Sequence, residues 1–309
     1  MNIEKIEDLA RAASEVLSAS GKKPPRIVVA AAREEAVLAA LAGAEQQELA
    51  KPVLLGERNK IEEAAEKLSI KIDGWKVIEE NNPAAAAVRA IELIKDGEAD
   101  LPMKGLVSSA AFLRAVLRKD LGLNRGSLIS HGALMEVSGY HKLLIASDGA
   151  LNIAPNLAEK EAILRNAVDL AHSLGIALPK AAILAAVETV DPERMPCTRD
   201  AAILTQMQKR GQISGCIVDG PLALDNAISA SSAAVKSIDS PVAGDADILL
   251  FPNIEAGNIL YKSLTCLAGA KTAGLILGAR TPVILTSRAD SAETKSASIA
   301  LAILAWLGG

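Results

Sequence analysis

The sequence predicts an α/β protein of two three-layer α/β/α domains with mostly parallel sheets, and three observations carry that expectation. Short aliphatic runs alternate with helical patterns of about 10–15 residues almost from end to end, which is the signature of βαβ units. Half of the residues are hydrophobic, 50%, but only 2% are aromatic, so the core is built from Ala, Val, Leu and Ile. Parallel strands covered on both faces read as such continuous aliphatic runs. The length, 309 residues, suits two domains rather than one.

The elements follow in order. Arg26-Ile-Val-Val-Ala-Ala reads as a strand and residues 34–49 as its helix. Pro52-Val-Leu-Leu-Gly56 is a second strand, followed by a helix over 60–68. Trp75-Lys-Val-Ile-Glu79 is a third strand, and Pro83 suits the first turn of a helix running to Lys95. Strands over 103–107 and 143–146 continue the pattern. A second series opens near Leu151: helix 157–174, strand 181–187, helix 200–210, strand 215–218, helix 222–236 and strand 248–251. It closes with helix 256–270, strands 274–277 and 283–285, and a final helix to Trp306. The break between the series falls around 140–155. We place residues 1–145 with the C-terminal helix 290–309 in the first domain and 146–289 in the second, although periodicity does not itself assign the last helix.

Composition excludes several function classes. A net charge of −4 and the scarcity of aromatic rings argue against nucleic acid, which needs a basic surface and stacking platforms. Cys197, Cys216 and Cys266 have no metal-ligand spacing, and His131, His141 and His172 form no metal pattern, so no metal is expected. Neither GxGxxG, GxxxxGK[ST] nor GxSxG occurs. The charged N-terminus lacks an apolar h-region, and no window approaches the ~18 apolar residues of a membrane span. No membrane partner and a cytoplasmic location are expected.

Four clusters at strand ends carry chemistry. Thr281-Pro-Val-Ile-Leu-Thr-Ser-Arg-Ala-Asp-Ser291 runs from an aliphatic strand into small polar and charged residues that open a helix. Ligands of open α/β sheets bind outside the carboxyl ends of strands, where helix N-termini offer free N–H groups to anions. Ser287, Arg288 and Asp290 placed there suit a phosphorylated substrate; an N-cap with a surface arginine is the plainer alternative. Lys104 lies in a strand-like run, Ser108 at the turn after it and Arg114 in the following helix, where they suit a phosphate or, for Arg114, a solvated face. Asp219-Gly-Pro reads as a tight turn off a strand tip, equally a cap. Asn253, Glu255 and Asn258 cluster at another strand exit beside Gly257, more polar groups than one helix cap requires.

Taken together, Val218-Asp-Gly-Pro-Leu-Ala-Leu-Asp-Asn-Ala-Ile228, Ser240-Pro-Val-Ala-Gly-Asp-Ala-Asp-Ile-Leu-Leu250 and Pro252-Asn-Ile-Glu-Ala-Gly-Asn-Ile-Leu-Tyr-Lys262 resemble the phosphate acetyl/butyryltransferase family. Pro102-Met-Lys-Gly-Leu-Val107, Phe112-Leu-Arg-Ala-Val116, Asn152-Ile-Ala-Pro155 and Ile284-Leu-Thr-Ser-Arg-Ala-Asp-Ser291 fall in that family's order. The resemblance covers roughly residues 100–300. It implies two α/β domains, like those of isocitrate and isopropylmalate dehydrogenases, with an active-site cleft between them, and a homodimer. It also implies reversible transfer of an acyl group between coenzyme A and phosphate, with no metal, no covalently bound cofactor and no acyl-enzyme. The partners are then acyl-coenzyme A, phosphate and acyl phosphate.

Ser287 and Arg288 match the family's Ser-Arg pair, which implies oxyanion or thiol stabilisation and phosphate binding; Arg114 resembles its second phosphate-binding arginine. Acetyl-specific relatives continue Ser-Arg-Gly-Cys-Ser-x-Glu-Asp, the last Asp being the thiol base. Here the run is Ser287-Arg-Ala-Asp-Ser-Ala-Glu-Thr294, with Thr294 at the base position; Asp290 or Glu293 is the candidate base instead, and a butyryl-type enzyme is favoured. An acetyl-preferring enzyme and a metal- and NAD-dependent dehydrogenase of similar architecture are the rival expectations.

Overall fold

The computed structural model describes residues 2–124 and 126–308. It divides into two compact units, Glu7–Ser127 with Ala273–Gly309 and Met1–Ile6 with Leu128–Thr272. The boundaries thus fall near 128 and 273, where the sequence pattern puts them at 145/146 and 289/290. Residues 128–145 go with the later segment because two strands there hydrogen-bond into its sheet.

The first unit begins with helix α1 (Asp8–Ser20), then β1 (Arg26–Ala30), α2 (Glu35–Gln46), β2 (Lys51–Gly56), α3 (Arg58–Lys67), β3 (Lys76–Glu79), α4 (Pro83–Lys95), β4 (Leu101–Lys104) and α5 (Ser109–Val116). The four strands form a parallel sheet in the order β3-β2-β1-β4. Right-handed crossovers send α2 and α3 to one face and α4 to the other, because the order reverses between β1 and β4. Strand cores such as Ile27–Ala30 and Val53–Leu55 are buried, as their unbroken aliphatic runs require. Asn82 caps α4 by accepting from the Ala84 and Ala85 N–H groups, and Pro83 takes the first helical position.

The second unit holds β5 (Ser130–Glu136), β6 (Leu144–Ser147), α6 (Leu157–Ser173), β7 (Lys180–Leu184), α7 (Pro196–Lys209), β8 (Ile217–Leu222), α8 (Leu224–Ile228), α9 (Ala230–Val235), β9 (Ile248–Leu250) and α10 (Ile254–Cys266). Strand β10 (Lys271–Leu277) leads out of it, and helix α11 (Ala292–Gly308) ends the chain in the first unit. The sheet order is β10-β5-β6-β9-β7-β8, with β5 and β6 antiparallel and the β6-β9-β7-β8 pairs parallel. Its core gathers Met135, Leu144, Leu184, Leu249 and Phe251.

Three local expectations are corrected. Helix 222–236 is two short helices, broken at Ser229, which caps the second. Asp219-Gly-Pro is strand rather than turn: β8 continues to Leu222, with a register shift between Ala182 and Leu184. Pro221, lacking an N–H, is tolerated because β8 is the edge of the sheet and the pairing is irregular there. Residues 283–285 form single bridges, Ile284 parallel to Met103 and Val283 antiparallel to Ile276, rather than a full strand.

Candidate active site

In the first unit, the crevice lies where the sheet order reverses, at the carboxyl ends of β1 and β4. Two backbone bonds close its floor: Gly105 N–H donates to the Ala30 carbonyl at 3.0 Å and Leu106 N–H to the Ala31 carbonyl at 2.8 Å. A Cβ at position 105 would stand 2.5 Å from the Ala31 oxygen, so only glycine allows this approach. Lys104 ends β4, and its N–H donates to the Ile284 carbonyl at 2.9 Å. This single parallel bridge holds the 283–285 segment beside β4 and delivers Thr286 and Ser287 to the same end.

Lys104 is 3% exposed, and its Nζ donates to the Gly105 carbonyl at 3.2 Å. Burial pushes its ammonium below the usual lysine range; Glu34 and Asp290 favour the charge, and Arg288 and Lys295 oppose it. A buried cation with donors to spare is the natural counterpart of a bound anion.

The Ser287–Ser291 turn is tied by its own residues. Asp290 Oδ2 accepts from the Ser287 N–H at 2.7 Å, and Asp290 N–H donates to the Ser287 carbonyl at 3.2 Å. Ser291 Oγ accepts from Thr294 N–H at 3.3 Å, capping α11. Ser287 and Arg288 are exposed, and Arg288 has no hydrogen-bond or ion-pair partner among the described residues. The plain cap falls to Ser291, which leaves Ser287 Oγ with only a 3.3 Å bond from Ala289 N–H. Glu293 is fully exposed, and its carboxyl is lowered first by a hydrogen bond from Ser291 and then by its own backbone N–H.

Lys104, Ser287, Arg288 and Asp290 therefore gather at one end of this sheet. Ser108 caps α5, accepting from Ala111 N–H at 3.2 Å, and Arg114 is exposed in that helix's last turn. Two residues of the crevice escaped the sequence reading. Lys295 is 0% exposed, and its Nζ donates to the Ser287 carbonyl at 2.9 Å and the Asp290 carbonyl at 2.8 Å. Glu34 Oε1 lies 3.1 Å from that Nζ as an ion pair without hydrogen-bond alignment, and this oxygen has no hydrogen-bond partner among the described residues. The available signal was a lysine one turn before Ile299 in an otherwise apolar helix stripe.

The other candidates lie in the second unit. Asn253 caps α10, accepting from Ala256 N–H at 3.0 Å, while Glu255 is exposed in the first turn. Gly257 is packed so tightly that a Cβ would stand 2.6 Å from the Phe251 ring and 2.8 Å from the Asp148 carbonyl. Asn258 Nδ2 donates to the Gly149 carbonyl at 3.0 Å. These contacts join α10 to the loop after β6, which Asp148 organises by accepting from the N–H groups of Ala150 and Leu151 at 2.8 and 3.0 Å. Asp148 was not singled out from sequence. Asp219 stands apart from this group within β8, accepting from Gly220 N–H at 2.9 Å. Among the described residues, no group of three or more His, Cys, Asp or Glu could hold a metal, and no helix is long and apolar enough to cross a membrane.

The comparisons with known proteins agree in direction. A model of the phosphate acetyl/butaryl transferase family matches residues 11–86 and 80–303. The phosphate butyryltransferase of Clostridium acetobutylicum is 47% identical over 268 residues, 87% of this chain and 89% of that one. The phosphate acetyltransferase of Thermotoga maritima is 42% identical over 303 residues, covering 97% and 98%. Among solved structures, a branched-chain phosphotransacylase from Enterococcus faecalis superposes with a TM-score of 0.79 at 32% identity, over 91% of this chain and 99% of that one. The chain belongs to the phosphate acetyl/butaryl transferase family.

Proposed function

We propose that this protein transfers a short acyl group reversibly between coenzyme A and phosphate, with butyryl or a similar chain preferred. One observation supports the site most strongly: a buried lysine and an arginine without a partner among the described residues converge at the carboxyl ends of β1 and β4, beside the N-terminus of α11. That arrangement suits a phosphate group.

In the direction of acyl-coenzyme A synthesis, the thiolate sulfur attacks the acyl phosphate carbonyl. The tetrahedral intermediate then expels phosphate as the C–O bond breaks. Arg288 and Lys104 neutralise the phosphate, and Ser287 Oγ–H donates to the developing oxyanion. Arg114 and the cap at Ser108 extend the phosphate site. The coenzyme A thiol, with a pKa near ~8.5 by analogy with cysteine, gives up its proton to a carboxylate. Asp290 is the better placed of the two acids, since it lies on the turn with Ser287 and acts on Lys104, whereas Glu293 is fully exposed. In the second unit, Asn253, Glu255, Gly257 and Asn258 belong to the substrate-binding surface, with Asp219 supporting the edge of the same sheet.

The same reading includes a cytoplasmic homodimer acting in butyrate metabolism. Helix α10 supports a second copy: Gly257 is its one buried residue among those described, while Ile259 is 66% and Leu267, just past its end, 86% exposed. A run of kcat/KM values over acyl chains of two to five carbons tests the substrate preference. The expected maximum is at four; a maximum at two would make the enzyme an acetyltransferase. Neighbouring lengths differ modestly, because one methylene is worth about 1–3 kcal/mol.

A further inference from the structure

We infer that Lys295 is a positioning residue for the Ser287–Arg288 turn, with Glu34 as its counter-ion. This rests on reading that turn as the anion site. The ammonium donates to the Ser287 and Asp290 carbonyls at 2.9 and 2.8 Å, and Glu34 Oε1 lies 3.1 Å from it as an ion pair. The two carbonyls flank Arg288, so one side chain clamps both ends of the segment that presents the guanidinium.

Stability alone gives little reason for a lysine here. An ion pair between a fully buried lysine and a glutamate only 14% exposed is commonly no more stabilising than apolar residues of the same volume. The fourth residue of a helix is also a poor place for a cation, since the positive end of the helix dipole lies there. Glu34 shows the same departure from local advantage. It occupies the N-cap position of α2 yet makes no capping bond; its carboxylate is paired with Lys295 instead. The pair thus links the end of β1 to the turn before α11, the two sides of the crevice, and leaves Glu34 acting on Lys104 as well.

The test is the double variant Lys295→Met with Glu34→Gln, which removes both buried charges together. It should fold with the wild-type dichroism spectrum but lose at least about tenfold in kcat for phosphate-dependent release of coenzyme A from butyryl-CoA, and raise KM for phosphate, because a turn misplaced by an ångström costs that much or more. Wild-type kcat and KM in the folded double variant would overturn the inference. Should it not fold, Glu34→Gln alone decides. Lys104 is faced by Glu34 before α2, by Arg288 and Asp290 on the turn, and by Lys295 on α11. Losing the Glu34 charge lowers the folded-state pKa of Lys104, so the alkaline limb of the rate profile moves to lower pH and KM for phosphate rises. A superimposable profile with an unchanged KM overturns the proposal. A wild-type protein that releases no coenzyme A with any short acyl chain overturns the functional reading instead.

Discussion

Lys104 and Ile284 share a rung of the first unit's sheet: the Lys104 N–H donates to the Ile284 carbonyl and the Ile284 N–H to the Pro102 carbonyl, both at 2.9 Å. This exchange brings a segment from the far end of the sequence alongside β4. It places the Ser287 turn at the strand end that already carries the buried ammonium. Two candidate-site segments 180 positions apart are thus brought together by two backbone hydrogen bonds.

Arg288→Ala should lower kcat and raise KM for phosphate. Both ground and transition states lose a charge partner, with a combined loss in kcat/KM of about 10²–10³. The melting temperature should stay put, since the side chain is exposed and unpartnered among the described residues. Steady-state kinetics over a phosphate series beside a thermal melt measure both. Unchanged kinetics would remove Arg288 from the site.

Asp290→Asn and Glu293→Gln separate the candidate bases. The asparagine oxygen can still accept the 2.7 Å bond from Ser287 N–H, so the turn survives while proton acceptance is lost. We expect a fall in kcat of about 10²–10⁴ for Asp290→Asn, the range of general base catalysis, and near wild-type kcat for Glu293→Gln. The reverse pattern would assign the proton to Glu293.

Gly105→Ala should damage stability and activity together. The added Cβ meets the backbone oxygens of Ala31 and Ala30 at 2.5 and 2.7 Å, so the ends of β1 and β4 must part. Overpacking of this kind costs about 1–3 kcal/mol, and Lys104 moves with the strand. A melt unaltered from the wild type would show that the crevice yields freely.

Asp245→Asn should weaken the fold in a pH-dependent way. Burial raises the carboxyl, but hydrogen bonds from Lys180, Lys142 and His141 outweigh it and hold the group well below the usual range. Because the folded-state pKa is depressed, the stabilisation is present above the unfolded value of about 4 and is lost as pH falls through the folded one. The carboxylate is 40% exposed, so solvent screening keeps the effect near pH 7 to about 0.5–1 kcal/mol. Urea unfolding at pH 7 and at pH 3 should show a gap between variant and wild type that narrows in acid; an equal gap at both would refute the electrostatic origin.

Much of the architecture was legible because parallel strands declare themselves by aliphatic runs, as at Ile27–Ala30 and Val53–Leu55. Asp219-Gly-Pro misled because Gly-Pro is a turn signal wherever burial and pairing are unseen, and only the edge position of β8 makes it strand. Helix α1 and strand β5 were missed: one is a charged, Ala-rich segment near the terminus, the other contains His131 and Gly132 and lacks a clean aliphatic run. In the candidate site, Ser287, Arg288 and Lys104 were readable as polar residues at strand ends. Lys295 and Glu34 were not, since a buried lysine inside a helix looks like any surface lysine until its counter-ion, 261 positions away in sequence, is beside it in space.

The most direct test is release of free coenzyme A from butyryl-CoA by the purified protein with and without inorganic phosphate, with the Arg288→Ala variant alongside. Rapid release is expected that requires phosphate, forms butyryl phosphate in equal amount, and collapses in the variant. Release that is indifferent to phosphate, or none with any chain of two to five carbons, would contradict it.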